Sequence, residues 1–203
     1  MKRIFIFLTT ILLLSFSNHA GPKYCSKDKK FILKYLKSSS TRLMDDVMGL
    51  SAEQLNYKMT DSSWTIANCV EHIALAEKNL YDMTMPFING KLDPTRRAEV
   101  KYDDEQIMQM ITNRTFKAKA PEGFIPSNQF GSFEGSLNAF NERRATTIRF
   151  IKTNKKDLRN LYVDHPFLGT IDSYQMLLFL TGHTLRHTLQ IEEIKSSSGY
   201  LAL

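Results

Sequence analysis

Five segments of this chain space their apolar residues three and four apart, and no run of alternating β-branched residues is bounded by hairpin turns. That pattern constrains the fold more than any other feature. The first segment follows Ser26, a capping residue, and carries Ile32, Leu36, Leu43, Val47 and Leu50 on helical steps. The second, "DSSWTIANCVEHIALAEKNLYDMTMPF", offers Ser62 or Ser63 as its cap and lines up Ile66, Val70, Ile73, Glu77 and Leu80. Asn89-Gly90 and Pro94 break it. Asp103 opens a shorter piece with Ile107, Met110 and Ile111 on one side. After a loop at 118–132 with two prolines, Leu137, Phe140, Arg144, Ile148 and Ile151 mark a third long helix. "HPFLG" (165–169) reads as a loop, and the last helix runs from its cap Asp172 to about Lys195. Each helix has one face to bury, so the expectation is an all-α fold: a four-helix bundle with one extra short helix and long connecting loops.

At 203 residues the chain suits one domain, and 42% hydrophobic with 24% charged residues is ordinary globular usage. The start departs from it. Lys2 and Arg3 precede an apolar run from Ile4 to about Phe16, and small or polar residues follow to Ala20. This is the layout of a signal peptide, too short for an ordinary membrane span of ~20 residues. The expectation is a signal at 1–20, an exported (periplasmic or secreted) domain at 21–203, and no membrane contact after cleavage. Removing Lys2 and Arg3 lowers the formal charge from +6 to +4. The remaining bases are scattered among acids with no aromatic-interleaved stripe, which argues against nucleic acid. Cys25 and Cys69 form an even pair, which in an exported chain points to a disulfide; two free thiols, or Cys69 as a ligand one turn before His72, are the alternatives.

The chemistry concentrates in "GHTLRHTLQIEE", residues 182–193. His183 and His187 are four apart and so share one side of a helix, with Gln190 or Ile191 at the next turn. Met176, Leu180, His183, His187, Ile191 and Ile194 make both imidazoles part of the core-facing stripe. Two buried imidazoles side by side resist charging, and a shared metal satisfies both. Thr184 stands where a zincin requires glutamate, which removes that protease mechanism. His72 lies at the edge of the second helix's apolar face. If the two helices are neighbours, three neutral nitrogens meet and leave an open coordination position. His165 reads as a turn residue and Trp64 as a packing anchor. Glu71 reads as a surface or outer carboxylate, Arg186 as an inter-helix salt bridge, and Glu192 and Glu193 as a solvated face. Met83, Met85, Met108 and Met110 read as core filler.

Taken in order, "SSWTIANCVEHIALAEKNL" and "HPFLGTIDSYQMLLFLTGHTLRHTLQIEEIK" resemble the DinB/YfiT-like superfamily of metal-dependent proteins from about Ser26 to Lys195. The resemblance implies a DinB-like four-helix bundle holding a divalent ion (nickel, zinc or iron) on His72, His183 and His187. It also implies a small-molecule substrate and either hydrolysis or thiol-dependent transfer, and it leaves room for a homodimer. The alternative is a non-catalytic bundle that binds metal or a small ligand. No general base stands out beside the three histidines, so the catalytic residues are unassigned.

Overall fold

A computed structural model describes residues 21–201. The expected signal at 1–20 lies outside the described residues. In chain order the elements are α1 (Ser26–Val47), α2 (Ala52–Asn56), α3 (Ile66–Ile88), α4 (Asp104–Thr112), α5 (Phe133–Thr153), β1 (Tyr162–His165), β2 (Gly169–Asp172), α6 (Ser173–Lys195) and α7 (Ser198–Leu201). The four long helices α1, α3, α5 and α6 form the bundle; α6 packs against α1, α3 and α4 at once. Being covered on several sides, α6 buries residues all around, from Tyr174 to Ile194, and not along one stripe alone.

Local chemistry sets the helix starts. Asp103 and Asp172 cap α4 and α6 as expected, each accepting from the backbone N–H three residues on. The cap of α3 is Thr65, not Ser62 or Ser63: Thr65 Oγ1 accepts from Asn68 N (3.1 Å), and Asn68 Oδ1 returns the bond (3.2 Å). Ser63 is engaged one turn earlier, donating to the Thr60 carbonyl and accepting from Thr60 N. The cap of α1 is Cys25, whose N–H is held by Asp28 (3.0 Å). Ser26 is its first helical residue.

One element departs from the all-helical expectation. Residues flanking "HPFLG" pair as an antiparallel hairpin, with His165 opposite Gly169 and Tyr162 opposite Asp172. Gly169 takes φ +70°, a left-handed turn conformation that glycine adopts without strain. Four-residue strands are too short to display readable alternation. Methionine placement also differs: Met83 and Met110 are exposed, while Ile107 and Ile111 cover the buried side of α4. At the crossing of α4 and α6, Gly182 permits the approach, since a Cβ there would lie 2.4 Å from Ile111 Cγ2.

The core divides into two apolar clusters. Ile32, Leu36, Leu80, Ile151 and Leu180 belong to one; Leu43, Val70, Ile73, Phe140 and Ile191 belong to the other. Between them runs a buried polar layer. Arg144 of α5 bridges both carboxylate oxygens of Glu77 on α3 (2.8 Å each) and reaches Ser39 and the Leu36 carbonyl on α1 and Thr184 on α6. One guanidinium thereby ties all four long helices together.

Candidate metal centre

The second turn of α3 supplies His72, and the middle of α6 supplies His183 and His187. Because α3 and α6 pack along each other, the three rings converge: centroids are 4.9 Å apart for His72 and His183, 4.3 Å for His72 and His187, and 4.6 Å for His183 and His187. One ligating nitrogen from each lies within 4.8 Å of the other two. His72 and His187 are buried, and His183 is partly so.

Hydrogen bonding fixes which nitrogens face inward. The Phe124 carbonyl can only accept, so His72 Nδ1 carries the proton and donates to it at 2.6 Å. His72 Nε2 is then a bare lone pair, 3.3 Å from Nε2 of His183. His187 Nδ1 is engaged by Gln190 Oε1 at 2.9 Å, which turns its Nε2 toward the same centre. Two imidazole nitrogens 3.3 Å apart need a proton or a cation between them. Metal–nitrogen bonds of ~2.0–2.1 Å in a tetrahedron put ligand nitrogens about 3.3–3.4 Å apart, so this pair already has the spacing of two ligands. Partners of this kind on Nδ1 are what orient a histidine for metal binding.

Electrostatics points the same way. Burial is the first cause that pushes His183 and His187 well below the ordinary histidine range; repulsion from neighbouring imidazoles and from Arg186 adds to it. His72 is also lowered, chiefly by burial, with the bond to Phe124 opposing. All three are therefore neutral near pH 7, the state a metal ligand needs. Around them stand aromatic rings: Trp64 lies 4.7 Å from His72 and 6.0 Å from His187, and Phe179 lies 6.3 Å from His183. Trp64 is thus a wall of the centre as well as an anchor ahead of α3.

Other readings need correction. Cys25 and Cys69 are both free. Cys69 shares an apolar cluster with Leu43 and Val47, and Leu43 stands about 27 Å along α1 from Cys25 at ~1.5 Å per residue, well beyond disulfide reach. Cys69 is also absent from the ligating cluster, and burial pushes its thiol up to about 12. Arg186 makes no salt bridge among the described residues; it donates to the carbonyls of Ile111, Asn113 and Phe116. Glu71 is buried and accepts from Ser127 N and Gln129 N. Glu192 pairs with Arg42 and Glu193 with Arg114, so that face is ion-paired. His165 does hold a turn: its Nδ1 accepts from Phe167 N and Leu168 N. Phe124 went unread at the sequence level, because it acts through its carbonyl and no side-chain pattern announces that.

A helical bundle whose core gathers three neutral histidines around inward-facing nitrogens is a scaffold able to hold one metal ion. The chain belongs to the DinB superfamily, whose family model matches residues 35–191. Two proteins of Bacillus subtilis are similar to it. "Uncharacterized protein YuaE" of strain 168 is 25% identical over 154 residues, which is 74% of this chain and 89% of that protein. YfiT, described as "a probable metal-dependent hydrolase with an unusual four-helix bundle topology", superposes with a TM-score of 0.58 at 17% identity over 87% of this chain and 91% of YfiT. At that identity the likeness is one of fold.

Proposed function

We propose that this chain is an exported metal-dependent hydrolase acting on a small molecule, with one divalent ion held by His72, His183 and His187. The observation that carries the metal is the 3.3 Å approach of the His72 and His183 Nε2 atoms while the Phe124 carbonyl occupies His72 Nδ1. The description of YfiT as "a probable metal-dependent hydrolase" supports hydrolysis over thiol transfer. The basic and then apolar stretch at 1–20 supports export.

A divalent ion on three neutral imidazoles supplies Lewis acidity toward a carbonyl or phosphoryl oxygen and makes water a nucleophile near neutral pH. The chain's own residues do the rest. Phe124 and Gln190 hold the histidine tautomers, while Trp64 and Phe179 restrict water around the rings. Among the described residues no carboxylate joins the cluster, so the three histidines would add no negative charge to offset the ion. A divalent ion held there would keep its positive charge, and the site would favour an electron-rich group on the substrate.

One observation favours a second reading, a bundle that holds metal without turnover: among the described residues no carboxylate or further histidine joins the cluster to act as a base. Elemental analysis of the purified chain, against a variant with all three histidines replaced by Ala, tests the metal. About one equivalent in the native chain and none in the variant is expected; equal content in both refutes the site. Loss of ester, amide or phosphoester hydrolysis on chelation, restored by the ion, separates the enzyme from the storage reading.

A further inference from the structure

The segment between α4 and α5, residues 113–132, crosses the histidine cluster with little support of its own. Its backbone–backbone bonds are short-range: Phe124 N to Pro121 O, Ile125 N to Glu122 O and Gly131 N to Asn128 O. Phe124 and Phe130 pack against the two core clusters, and its polar tethers come from side chains of the two helices that carry the histidines. Arg186 of α6 donates to the carbonyls of Asn113 and Phe116 at its start and of Ile111 in the last turn of α4, and Arg114 pairs with Glu193 of α6 (2.9 Å). At its far end, α3 supplies Asn79 to the Gly123 carbonyl (2.8 Å), His72 to the Phe124 carbonyl (2.6 Å), and Glu71 to the N–H groups of Ser127 (3.0 Å) and Gln129 (2.7 Å).

Glu71 and Arg186 are unusual charges. Glu71 is 6% exposed and Arg186 is 9% exposed, yet neither has an oppositely charged partner among the described residues; Glu71 is satisfied by the backbone of this segment, and Arg186 by its first residues and the last turn of α4. Burying a charge without an ion partner is costly, and backbone dipoles offset it only while the segment stays in place. Asn128, at φ +62°, sits between the two N–H groups that point at Glu71, a local concavity built for an anion. Each charge is also one residue from a histidine of the cluster, Glu71 beside His72 and Arg186 beside His187.

We propose that Glu71 and Arg186 are positioning residues that strap residues 113–129 across the histidine cluster, and that the strap, through the Phe124 carbonyl, keeps His72 Nε2 free to ligate. Phe124 is three residues from Ser127 and five from Gln129, so releasing Glu71 displaces the carbonyl that holds the His72 proton on Nδ1. A His72 with its proton on Nε2 points a donor, not a lone pair, into the centre and cannot ligate through that atom. Only the consequence for metal affinity rests on the metal reading; the tautomer does not.

The test uses the full chain with ¹⁵N-labelled histidine. Long-range ¹H–¹⁵N spectra of the metal-free protein report each tautomer, and competition against a chromophoric chelator gives Zn²⁺ affinity. Native His72 is expected protonated on Nδ1 alone. Glu71→Leu is expected to mix its tautomers and weaken Zn²⁺ binding roughly 10–100-fold, the usual range for outer partners of ligands. Glu71→Gln keeps the accepting oxygen and should rescue both readouts. Arg186→Leu should shift them in the direction of Glu71→Leu. Asn79→Ala, at a partly exposed position that does not endanger the fold, should give a smaller shift in the same direction; it decides the matter if Glu71→Leu lacks native helicity. A native His72 tautomer and undiminished Zn²⁺ affinity in the folded variants overturn the proposal. Failure of the native chain to take Zn²⁺ or any divalent ion sinks the metal reading, and the tautomer comparison still decides this one.

Discussion

Arg144 and Glu77 make the sharpest quantitative case, because the pair sits in the layer between the two apolar clusters. Arg144 is 3% exposed and Glu77 1%. The five N–H groups of the guanidinium reach six acceptors, the two Glu77 oxygens, the Leu36 carbonyl and the hydroxyls of Ser39, Ser40 and Thr184, at 2.7–3.1 Å. Thr147 adds a hydroxyl bond to Glu77 (3.2 Å). Glu77→Leu leaves a buried cation with only neutral acceptors, and Arg144→Met leaves a buried carboxylate with one hydroxyl. Removing one partner of such a pair costs about 3–5 kcal/mol.

The double variant removes both charges at similar volume. Ser39 and Ser40 already bond the Leu36 carbonyl, at 3.1 and 2.9 Å, so their hydroxyls keep a partner. Thr184 Oγ1 loses one, at a cost of about 1 kcal/mol. The double variant should therefore lie within about 2 kcal/mol of the native chain, far short of the sum of the singles, giving a coupling energy of at least about 3 kcal/mol. Urea unfolding at pH 7, with the slope checked for constancy, measures all four corners of the cycle. Single losses below about 1 kcal/mol, or a double variant that loses the full sum, would refute the reasoning that the charges are buried and mutually dependent.

Three further outcomes follow from the same structure. His165 is 8% exposed and burial lowers its pKa to about 4; an unfolded chain, with histidine near 6.5, binds the proton that the folded one refuses, so stability holds above about pH 6.5 and falls by about 3 kcal/mol as pH drops toward 4. His165→Asn keeps an acceptor for the Phe167 and Leu168 N–H groups, and subtracting its urea-derived pH profile from the native one should isolate that slope; parallel profiles contradict it. Gly182→Ala forces a Cβ to 2.4 Å from Ile111 Cγ2, and the overpacking cost of roughly 1–3 kcal/mol exceeds the helix-propensity gain of up to about 1, so a lower thermal midpoint is expected and a raised one counts against the tight α4–α6 crossing. A thiol reagent should modify one cysteine, the exposed Cys25, in the native chain and two after denaturation; an unreactive native chain would contradict the free, exposed Cys25.

The part of the centre that the sequence announces is the part made by helical periodicity. His183 and His187 are four apart on a stripe that must be buried, and His72 lies in a second such stripe, so their meeting follows once α3 and α6 are neighbours. The hairpin around "HPFLG" escapes because its strands have four residues each and are stabilised by contacts remote in sequence, such as Arg96 with Asp164 (2.6 Å). Glu77 and Arg144 stand in apolar registers, and a charge in such a register has to find an opposite partner or a set of dipoles. That requirement is legible; which partner answers it is not, since 67 residues separate the two. Glu71 and Arg186 obey the same rule with the other answer: the pattern shows two charges beside histidines, and only the path of the 113–132 segment shows them holding backbone. The outer contacts of the centre are thus the least legible part, because the Phe124 carbonyl is a group every residue possesses. Side-chain chemistry singles out the three histidines, whereas chain geometry alone decides which nitrogen of His72 faces the other two.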